Sequence, residues 1–315
     1  MASPASSQPR GVYAAVLTPL SASYEPDTAL FVRQCRWLLD NGCDGLAPLG
    51  TTGEANSLSV EQRIRLIEAA AGSGIPMAKF VPGAGSCALA DAVKVTKAAV
   101  AAGAAGALLL PPFYYKNPSE DGLFAFFSEV IQRVGDARLR LYLYHFPQLS
   151  TVPITAGLIA RLMKAYPDGT IAGLKDSSGD WANTARLLKE FPGFGVFSGS
   201  EEFLLANLRA GGVGCISAST NVTAPLARPV YLAWQEKSAD ELQKALTEVR
   251  LVLQSYPMQA ALKQVCAAIH GEPAWLNILP PNRPLPPAQA SEIMARLSAL
   301  PQMKALLGKA ATKAA

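Results

Sequence analysis

Short apolar runs alternate along most of the chain with longer segments in which apolar and charged residues recur at helical spacing. The apolar runs predict β-strands at residues 13–17, 45–49, 78–81, 107–110, 140–144, 171–174, 195–198 and 214–217. Helical patterns lie between them at residues 60–71, 88–102, 120–134, 155–165, 180–191 and 201–210. Eight strand–helix units predict a parallel sheet with crossover helices, as in a (β/α)8 barrel.

After about residue 225 the pattern is only helical, over residues 230–256, 259–269 and 287–306. We therefore predict an α/β fold, a (β/α)8 TIM barrel with a C-terminal helical extension. The predicted organisation is a disordered N-terminal segment at residues 1–10, a barrel at 11–224 and a C-terminal helical region at 225–315, of which 308–315 are loose.

An open, doubly wound sheet is the alternative architecture, because Gly83-Ala84-Gly85-Ser86 is rich in glycine. The third glycine of the dinucleotide-binding fingerprint is missing, since Ala88 stands at its position. Pro82 also directly precedes the stretch. The pattern therefore favours an ordinary turn between a strand and a helix.

Composition excludes several classes of protein. Half of the 315 residues are apolar and 17% are charged, which is the opposite of a disordered chain. The net charge of +4 comes without a run of Lys or Arg, so we expect neither a nucleic-acid nor a membrane partner. The five cysteines are widely spaced, and residues 1–10 lack the apolar stretch of a signal peptide, so we expect a cytoplasmic protein with reduced thiols. The two histidines are far apart, which argues against a zinc site.

Functional residues of a barrel lie where its strands end. The second predicted strand runs into Gly50-Thr51-Thr52-Gly53-Glu54, whose backbone amides and hydroxyls suit a carboxylate or phosphate, although a plain capped turn is an equal alternative. Tyr144 ends the fifth predicted strand, where a tyrosine either fills the core or transfers a proton.

Lys175 closes the apolar sixth predicted strand. Lysine is rarely buried unless it is paired or used. A neutral lysine amine attacks a ketone to form a Schiff base, so Lys175 is a candidate nucleophile. The structural alternatives are a lysine that reaches solvent or pairs with Asp176. Glu201 and Glu202 follow the seventh strand and also suit a helix N-terminus electrostatically.

Three motifs together resemble the dihydrodipicolinate synthase / N-acetylneuraminate lyase family. They are the turn at residues 50–54, the Tyr144-x-x-Pro147 turn, and Gly173-Leu174-Lys175-Asp176-Ser177-Ser178-Gly179-Asp180. The resemblance extends from Gly11 through the C-terminal helices. It implies a class I Schiff-base pyruvate aldolase or lyase that needs no metal or organic cofactor. It also implies a homotetramer built as a dimer of tight dimers.

The resemblance further implies a role for each matched residue. Lys175 forms the imine with pyruvate or a longer 2-oxo acid, and Tyr144 relays protons. Thr51 and Thr52, in the turn that Gly50 opens, bind the carboxylate or join the relay. The remaining matched positions are Tyr115, which reaches across a dimer contact toward the neighbouring site, and Gly199 and Ile216, which line the pyruvate end.

Departures from the family pattern bear on the substrate. Dihydrodipicolinate synthases carry an arginine two residues after the proline of the tyrosine turn, but Leu149 stands there. Glu201 and Glu202 match the two acids with which the sialic acid lyase branch binds sugar hydroxyls, yet Ala218 replaces a serine of that branch. His145 replaces the usual asparagine and either contacts substrate or, in our preferred interpretation, packs or makes a supporting hydrogen bond.

We therefore predict an aldolase that cleaves or forms a 4-hydroxy-2-oxo acid, of the 2-oxo-3-deoxy sugar acid type, with pyruvate and an aldehyde as small-molecule partners. A protonated imine accepts the electrons released when the C3–C4 bond breaks. Three alternatives remain: a dehydratase acting on the same imine, dihydrodipicolinate synthase, and a non-catalytic ligand-binding relative. A non-catalytic ligand-binding protein would not need the imine-forming Lys175 together with Tyr144 and the Thr51-Thr52 pair.

Overall fold

A computed structural model describes residues 8–311 and contains one parallel sheet, whose strands follow the order β2-β1-β7-β6-β5-β4-β3. The strands are β1 (Gly11–Ala14), β2 (Gly45–Leu46), β3 (Ala107–Leu109), β4 (Leu141–His145), β5 (Ile171–Asp176), β6 (Gly195–Ser198) and β7 (Gly214–Ser217). Because every neighbouring pair is parallel, all strands end at the same rim of the curled sheet.

Residues 80–84 close the ring between β2 and β3. Val81 donates its amide to Leu46 O at 2.8 Å on one side, and Ala84 donates to Leu108 O at 2.9 Å on the other. The predicted barrel is confirmed in this way, with an irregular segment as its eighth member.

The strand predicted at residues 78–81 is wrong. Met77–Lys79 forms a 3-10 turn instead of extended backbone. Pro82 has no amide hydrogen to donate to a neighbouring strand, so a regular ladder cannot continue through this segment.

Helices cover the sheet and bury their apolar faces against it. They are α1 (Thr28–Asp40), α2 (Val60–Gly72), α3 (Leu89–Ala101), α4 (Glu120–Val134), α5 (Pro147–Ser150), α6 (Ala156–Ala165), α7 (Trp181–Glu190), α8 (Leu204–Arg209) and α9 (Thr220–Leu232). The helices α1 and α5 were not predicted, and α9 was predicted only over its last residues, 230–232. The Asp27 side chain caps α1 by accepting the Leu30 amide at 2.9 Å.

The C-terminal part contains α10 (Ala239–Gln254), α11 (Met258–His270), α12 (Pro287–Ala299) and α13 (Pro301–Ala311). These helices pack around a second apolar cluster, which includes the fully buried Trp275 and also Leu17, Leu30 and Val222 of the barrel part. A single helix over residues 230–256 was predicted wrongly, because residues 233–238 form turns between α9 and α10. None of the helices within residues 8–311 is long and apolar enough to cross a membrane.

We propose the division into a barrel and a C-terminal helical region as an organisation of the chain, with α9 running across the predicted boundary at residue 224. Residues 1–7 of the predicted disordered segment and residues 312–315 of the predicted loose end lie outside the described residues.

Candidate active site

Lys175 and Tyr144 face each other at the rim of the barrel. Parallel pairing of β4 with β5 sets Tyr144 directly beside Lys175, and each residue is 4% exposed. The Lys175 Nζ lies 4.2 Å from the centroid of the Tyr144 ring. The strand register therefore brings the predicted nucleophile and the predicted proton-transfer group together.

Asp176 does not neutralise Lys175. Its carboxylate accepts the Ser178 amide at 2.9 Å, the Asn183 side-chain amide at 3.1 Å and the Thr184 hydroxyl at 2.8 Å. Among residues 8–311, no carboxylate lies within ion-pair distance of the Lys175 Nζ. The alternative of a simple Lys175–Asp176 pair is therefore wrong.

The turn after β2 approaches the two residues from the opposite side of the ring. Thr51 Oγ1 lies 3.4 Å from Tyr144 Oη, and Thr52 is buried beside it. Gly53 is required there because a Cβ atom would lie 2.8 Å from Val16 O. Gly50 lies at the start of the turn and borders a small adjoining cavity.

A cavity of about 350 Å³ opens at this end of the barrel. Lys175, Tyr144, Thr51, Thr52 and Gly199, all predicted from the sequence, line it together. The wall is completed by side chains of α10 and α11 that the sequence analysis missed, namely Arg250, Gln254, Met258 and Gln259. Their segments carry no local motif that would have marked them.

Glu201 does not contact the cavity, which corrects its predicted role in substrate binding. It is fully buried, accepts the Ser217 hydroxyl and the Thr223 hydroxyl (2.9 Å), and lies 3.6 Å from Arg250 Nη1. Glu202 lines the cavity instead. The two acids lie in one 3-10 turn, where consecutive side chains diverge, so only one of them reaches the cavity.

His145 also lies outside this cavity. Successive side chains of a strand point to opposite faces, so His145 points away from the side to which Tyr144 points. Its Nδ1 accepts the Ile154 amide at 3.0 Å, and the residue borders a separate groove of about 650 Å³. Burial holds the pKa of His145 below its usual value.

The last two predicted residues lie at opposite extremes of exposure. Ile216 is fully buried in the barrel interior, packed in one cluster with Tyr144 and Phe197. Tyr115 is 79% exposed, with its ring edge-on to Tyr114 at a centroid distance of 5.3 Å. Its contact with a neighbouring subunit stays a prediction. Within the described part of the chain, no group of three or more His, Cys, Asp or Glu residues is placed to hold a metal ion.

Comparison with known proteins places this site in a family. Residues 8–300 match the model of the dihydrodipicolinate synthetase family. An uncharacterised DapA-like lyase of Chloroflexus aurantiacus is 35% identical over 309 residues, which cover 95% of this chain and 98% of the relative. A 4-hydroxy-tetrahydrodipicolinate synthase of Rhizobium meliloti is 31% identical over 91% of this chain and 97% of its own length.

Solved structures agree with the sequence relatives. Dihydrodipicolinate synthase of Agrobacterium tumefaciens has a TM-score of 0.86 and 31% identity, covering 93% of this chain and 99% of its own. YagE, a prophage protein of the dihydrodipicolinic acid synthase family from E. coli K12, was solved in complex with pyruvate. It has a TM-score of 0.83 and 26% identity over 92% of this chain and 98% of its own. The chain therefore belongs to the dihydrodipicolinate synthetase family of pyruvate-dependent lyases.

Proposed function

We propose that the protein is a class I aldolase that cleaves or forms a 4-hydroxy-2-oxo acid through an imine on Lys175. One observation carries the proposal: Lys175 is buried in the wall of a cavity, 4.2 Å from the Tyr144 ring centroid. A buried lysine beside a tyrosine and without a carboxylate partner is suited to react as an amine.

The reaction follows from these positions. The Lys175 amine attacks the C2 ketone of the 2-oxo acid, and loss of water gives a protonated imine. Tyr144 gives its phenol proton to the hydroxide that leaves as water, and its Oη then accepts the proton of the C4 hydroxyl as the C3–C4 bond breaks, while the bonding electrons move into the imine to form an enamine. The aldehyde leaves, the enamine is protonated at C3, and hydrolysis releases pyruvate. The Thr51 hydroxyl, 3.4 Å from Tyr144 Oη, extends the proton path.

The carboxylate of the 2-oxo acid fits the turn that carries Thr51 and Thr52. Both residues line the cavity close to Lys175 and Tyr144. Backbone amides and hydroxyls in such a turn bind a carboxylate without a cationic side chain. The pyruvate complex of YagE supports a 2-oxo acid as the ligand of this cavity. The activation resides in the covalent imine, so the proposed reaction needs no additional cofactor.

Dihydrodipicolinate synthesis is a second candidate, because several relatives are 4-hydroxy-tetrahydrodipicolinate synthases. Leu149, an apolar residue of the cavity wall, disfavours this reaction, because it stands where dihydrodipicolinate synthases carry an arginine. A 2-oxo-3-deoxy acid dehydratase would use the same imine but release only water. An assay for released aldehyde therefore separates the aldolase from the dehydratase.

We also propose a cytoplasmic homotetramer in which Tyr115 contacts a neighbouring subunit. Tyr114 and Tyr115 are 72% and 79% exposed in the single chain, which is unusual for two adjacent aromatic side chains. Sedimentation analysis of Tyr115→Ala beside the unchanged protein tests this assembly, and an unaltered oligomer would count against the contact.

Borohydride trapping tests the imine. Incubation with pyruvate and borohydride, followed by peptide mass spectrometry, is expected to place a reduced pyruvyl adduct on Lys175. The adduct should be absent from Lys175→Ala. Lys189, an exposed lysine on α7, provides the control variant Lys189→Ala, in which the Lys175 adduct should persist. Absence of an adduct with pyruvate and with longer 2-oxo acids would refute the proposed mechanism.

A further inference from the structure

Arg250 is a rigidly held cation in the wall of the Lys175 cavity. Its Nη1 donates to Ser219 Oγ at 2.7 Å and Ser217 Oγ at 3.3 Å, and its Nε donates to Gln254 Oε1 at 3.1 Å. The side chain is 13% exposed. A guanidinium fixed from several sides loses little conformational freedom when it binds a ligand.

The buried Glu201 explains why this arginine is held in place. Its carboxylate is 0% exposed and lies 3.6 Å from Arg250 Nη1, while Ser217 and Thr223 donate hydroxyl hydrogens to it. A buried carboxylate requires a nearby cation and hydrogen-bond donors. Glu201 thus holds one edge of the Arg250 guanidinium from behind the cavity wall.

The other edge of the guanidinium remains available to a ligand. Within residues 8–311, Nη2 of Arg250 makes neither a hydrogen bond nor an ion pair, and it is not a buried atom. Arg250 lines the cavity, so its unbonded Nη2 is the donor that an anionic ligand in the cavity would meet in our proposal. Arginine binds carboxylates and phosphates through such planar pairs of N–H groups.

One strand, β1, lies between the strand end that Arg250 contacts and the strand end that carries the proposed 2-oxo acid site. Arg250 contacts the end of β7 through Ser217 and Ser219, whereas Thr51 and Thr52 follow β2. Glu202 also lines the cavity and repels anions, so an anionic substrate group would lie beside the Arg250 guanidinium and away from Glu202.

We propose that Arg250 binds a second anionic group, at the end of the substrate remote from the 2-oxo acid carboxylate. The substrate class is then a 4-hydroxy-2-oxo acid that ends in a carboxylate or a phosphate, rather than in a neutral hydroxymethyl group. This inference rests on the proposed aldolase function.

Three aldehydes test the preference when each is condensed with pyruvate. D-glyceraldehyde is neutral, tartronate semialdehyde replaces its hydroxymethyl group with a carboxylate, and glyceraldehyde 3-phosphate adds a phosphate. We expect one anionic aldehyde to exceed glyceraldehyde in kcat/KM by at least about tenfold, as for a charge-assisted hydrogen bond. Arg250→Met should reduce this ratio toward one, and Arg250→Lys should give an intermediate ratio.

Two further variants keep the test interpretable. Arg250→Met leaves Glu201 without its cation, so the double variant Glu201→Gln/Arg250→Met removes both charges if the single variant folds poorly. Arg209→Met removes an exposed arginine that pairs with Asp240 at 2.8 Å, and should leave the ratio unchanged.

Preference for tartronate semialdehyde assigns a carboxylate, and preference for glyceraldehyde 3-phosphate assigns a phosphate. A glyceraldehyde preference, or an anion preference that survives Arg250→Met, overturns the proposal.

Binding measurements separate this proposal from the aldolase function itself. Calorimetry with 2-oxoglutarate and 2-oxopentanoate, which differ only in the terminal carboxylate, requires no turnover. We expect 2-oxoglutarate to bind at least about tenfold more tightly, and Arg250→Met to abolish the difference. Equal affinities for the unchanged protein would refute the Arg250 site, whereas a missing Lys175 adduct in borohydride trapping would refute only the aldolase.

Discussion

Lys263 of α11 forms an ion pair with Glu54, which ends the turn that carries Thr51 and Thr52, and both side chains are at most 1% exposed. Lys263 Nζ also donates to Asn277 O at 2.7 Å, and Glu54 accepts the Leu279 amide at 2.7 Å. One helical turn earlier, Gln259 donates to Thr51 O at 3.3 Å. The C-terminal helical region therefore holds the turn to which we assign carboxylate binding.

Breaking this pair should strongly destabilise the protein. We expect Lys263→Met to lower the free energy of unfolding by about 3–5 kcal/mol, because it leaves the buried Glu54 carboxylate without a cation. Arg65→Met is the matched control, since Arg65 pairs with Glu25 at 2.6 Å on the surface. Arg65→Met should lower the free energy of unfolding by less than about 1 kcal/mol. Urea unfolding measures the loss in each variant, and equal losses would contradict a special role of the buried Lys263–Glu54 pair in stability.

Two tyrosines of β4 should respond in opposite ways to loss of the hydroxyl. Tyr144→Phe keeps the ring beside Lys175 but removes the proposed proton carrier, so kcat should fall by about 10²–10⁴-fold. Tyr142 is fully buried beneath it, and its hydroxyl has no hydrogen-bond partner in the part of the chain described. Tyr142→Phe should retain activity and raise the free energy of unfolding by about 1 kcal/mol, because it removes an unsatisfied polar group.

Steady-state kinetics with a 4-hydroxy-2-oxo acid and urea unfolding of both variants check this pair. Comparable loss of activity in the two variants would show that the catalytic difference does not lie in the Tyr144 hydroxyl.

Sequence alone predicted the half of the cavity that lies at strand ends. Lys175, Tyr144 and Thr51 each follow or end an apolar run, and parallel strands of a barrel bring such positions to one rim. Local pattern therefore sufficed for them. The segment at residues 80–84 was placed less well, because its hydrogen bonds with both neighbouring strands are long-range contacts that a local pattern does not encode.

The other half of the cavity could not be predicted in this way. Helical periodicity shows that α10 has an apolar face, but which side chain reaches a cavity depends on how the helix packs against the barrel. Arg250 was missed for that reason. Glu201 was assigned to substrate binding, but the divergence of adjacent side chains in the 3-10 turn brings Glu202 to the cavity instead.

Gly199 should tolerate no side chain, although it is not at a positive φ angle. A Cβ atom there would lie 2.8 Å from Asp176 O and would collide with Ser177. We expect Gly199→Ala to lower the free energy of unfolding by about 1–3 kcal/mol and to impair activity, because the backbone after β5 must move. Gly72→Ala is the control. A Cβ atom added at residue 72 would have no atom within 4 Å to collide with. Alanine is also favoured over glycine in a helix, so Gly72→Ala should raise the free energy of unfolding by about 0.5–1 kcal/mol. Similar stability for both variants would argue against the close approach.

His145 should make the stability of the protein depend on pH. Burial lowers its pKa in the folded state below the ordinary 6.5, although Asp176 and Asp180 oppose this by favouring the charged form. The unfolded chain therefore binds more protons than the folded protein once the pH falls below about 6.5. The stabilisation is fully present above that pH and is lost on acidification toward the folded-state pKa, with a slope of at most about 1.4 kcal/mol per pH unit.

His145→Asn isolates this contribution, because asparagine retains an acceptor for the Ile154 amide but does not titrate. Urea unfolding of both proteins between pH 5 and 8 should show that the unchanged protein loses stability more steeply than the variant below about pH 6.5. His270 is present in both proteins, so its titration contributes equally to the two curves. Parallel curves would mean that His145 keeps the same proton affinity when the chain unfolds, and that burial does not control its charge.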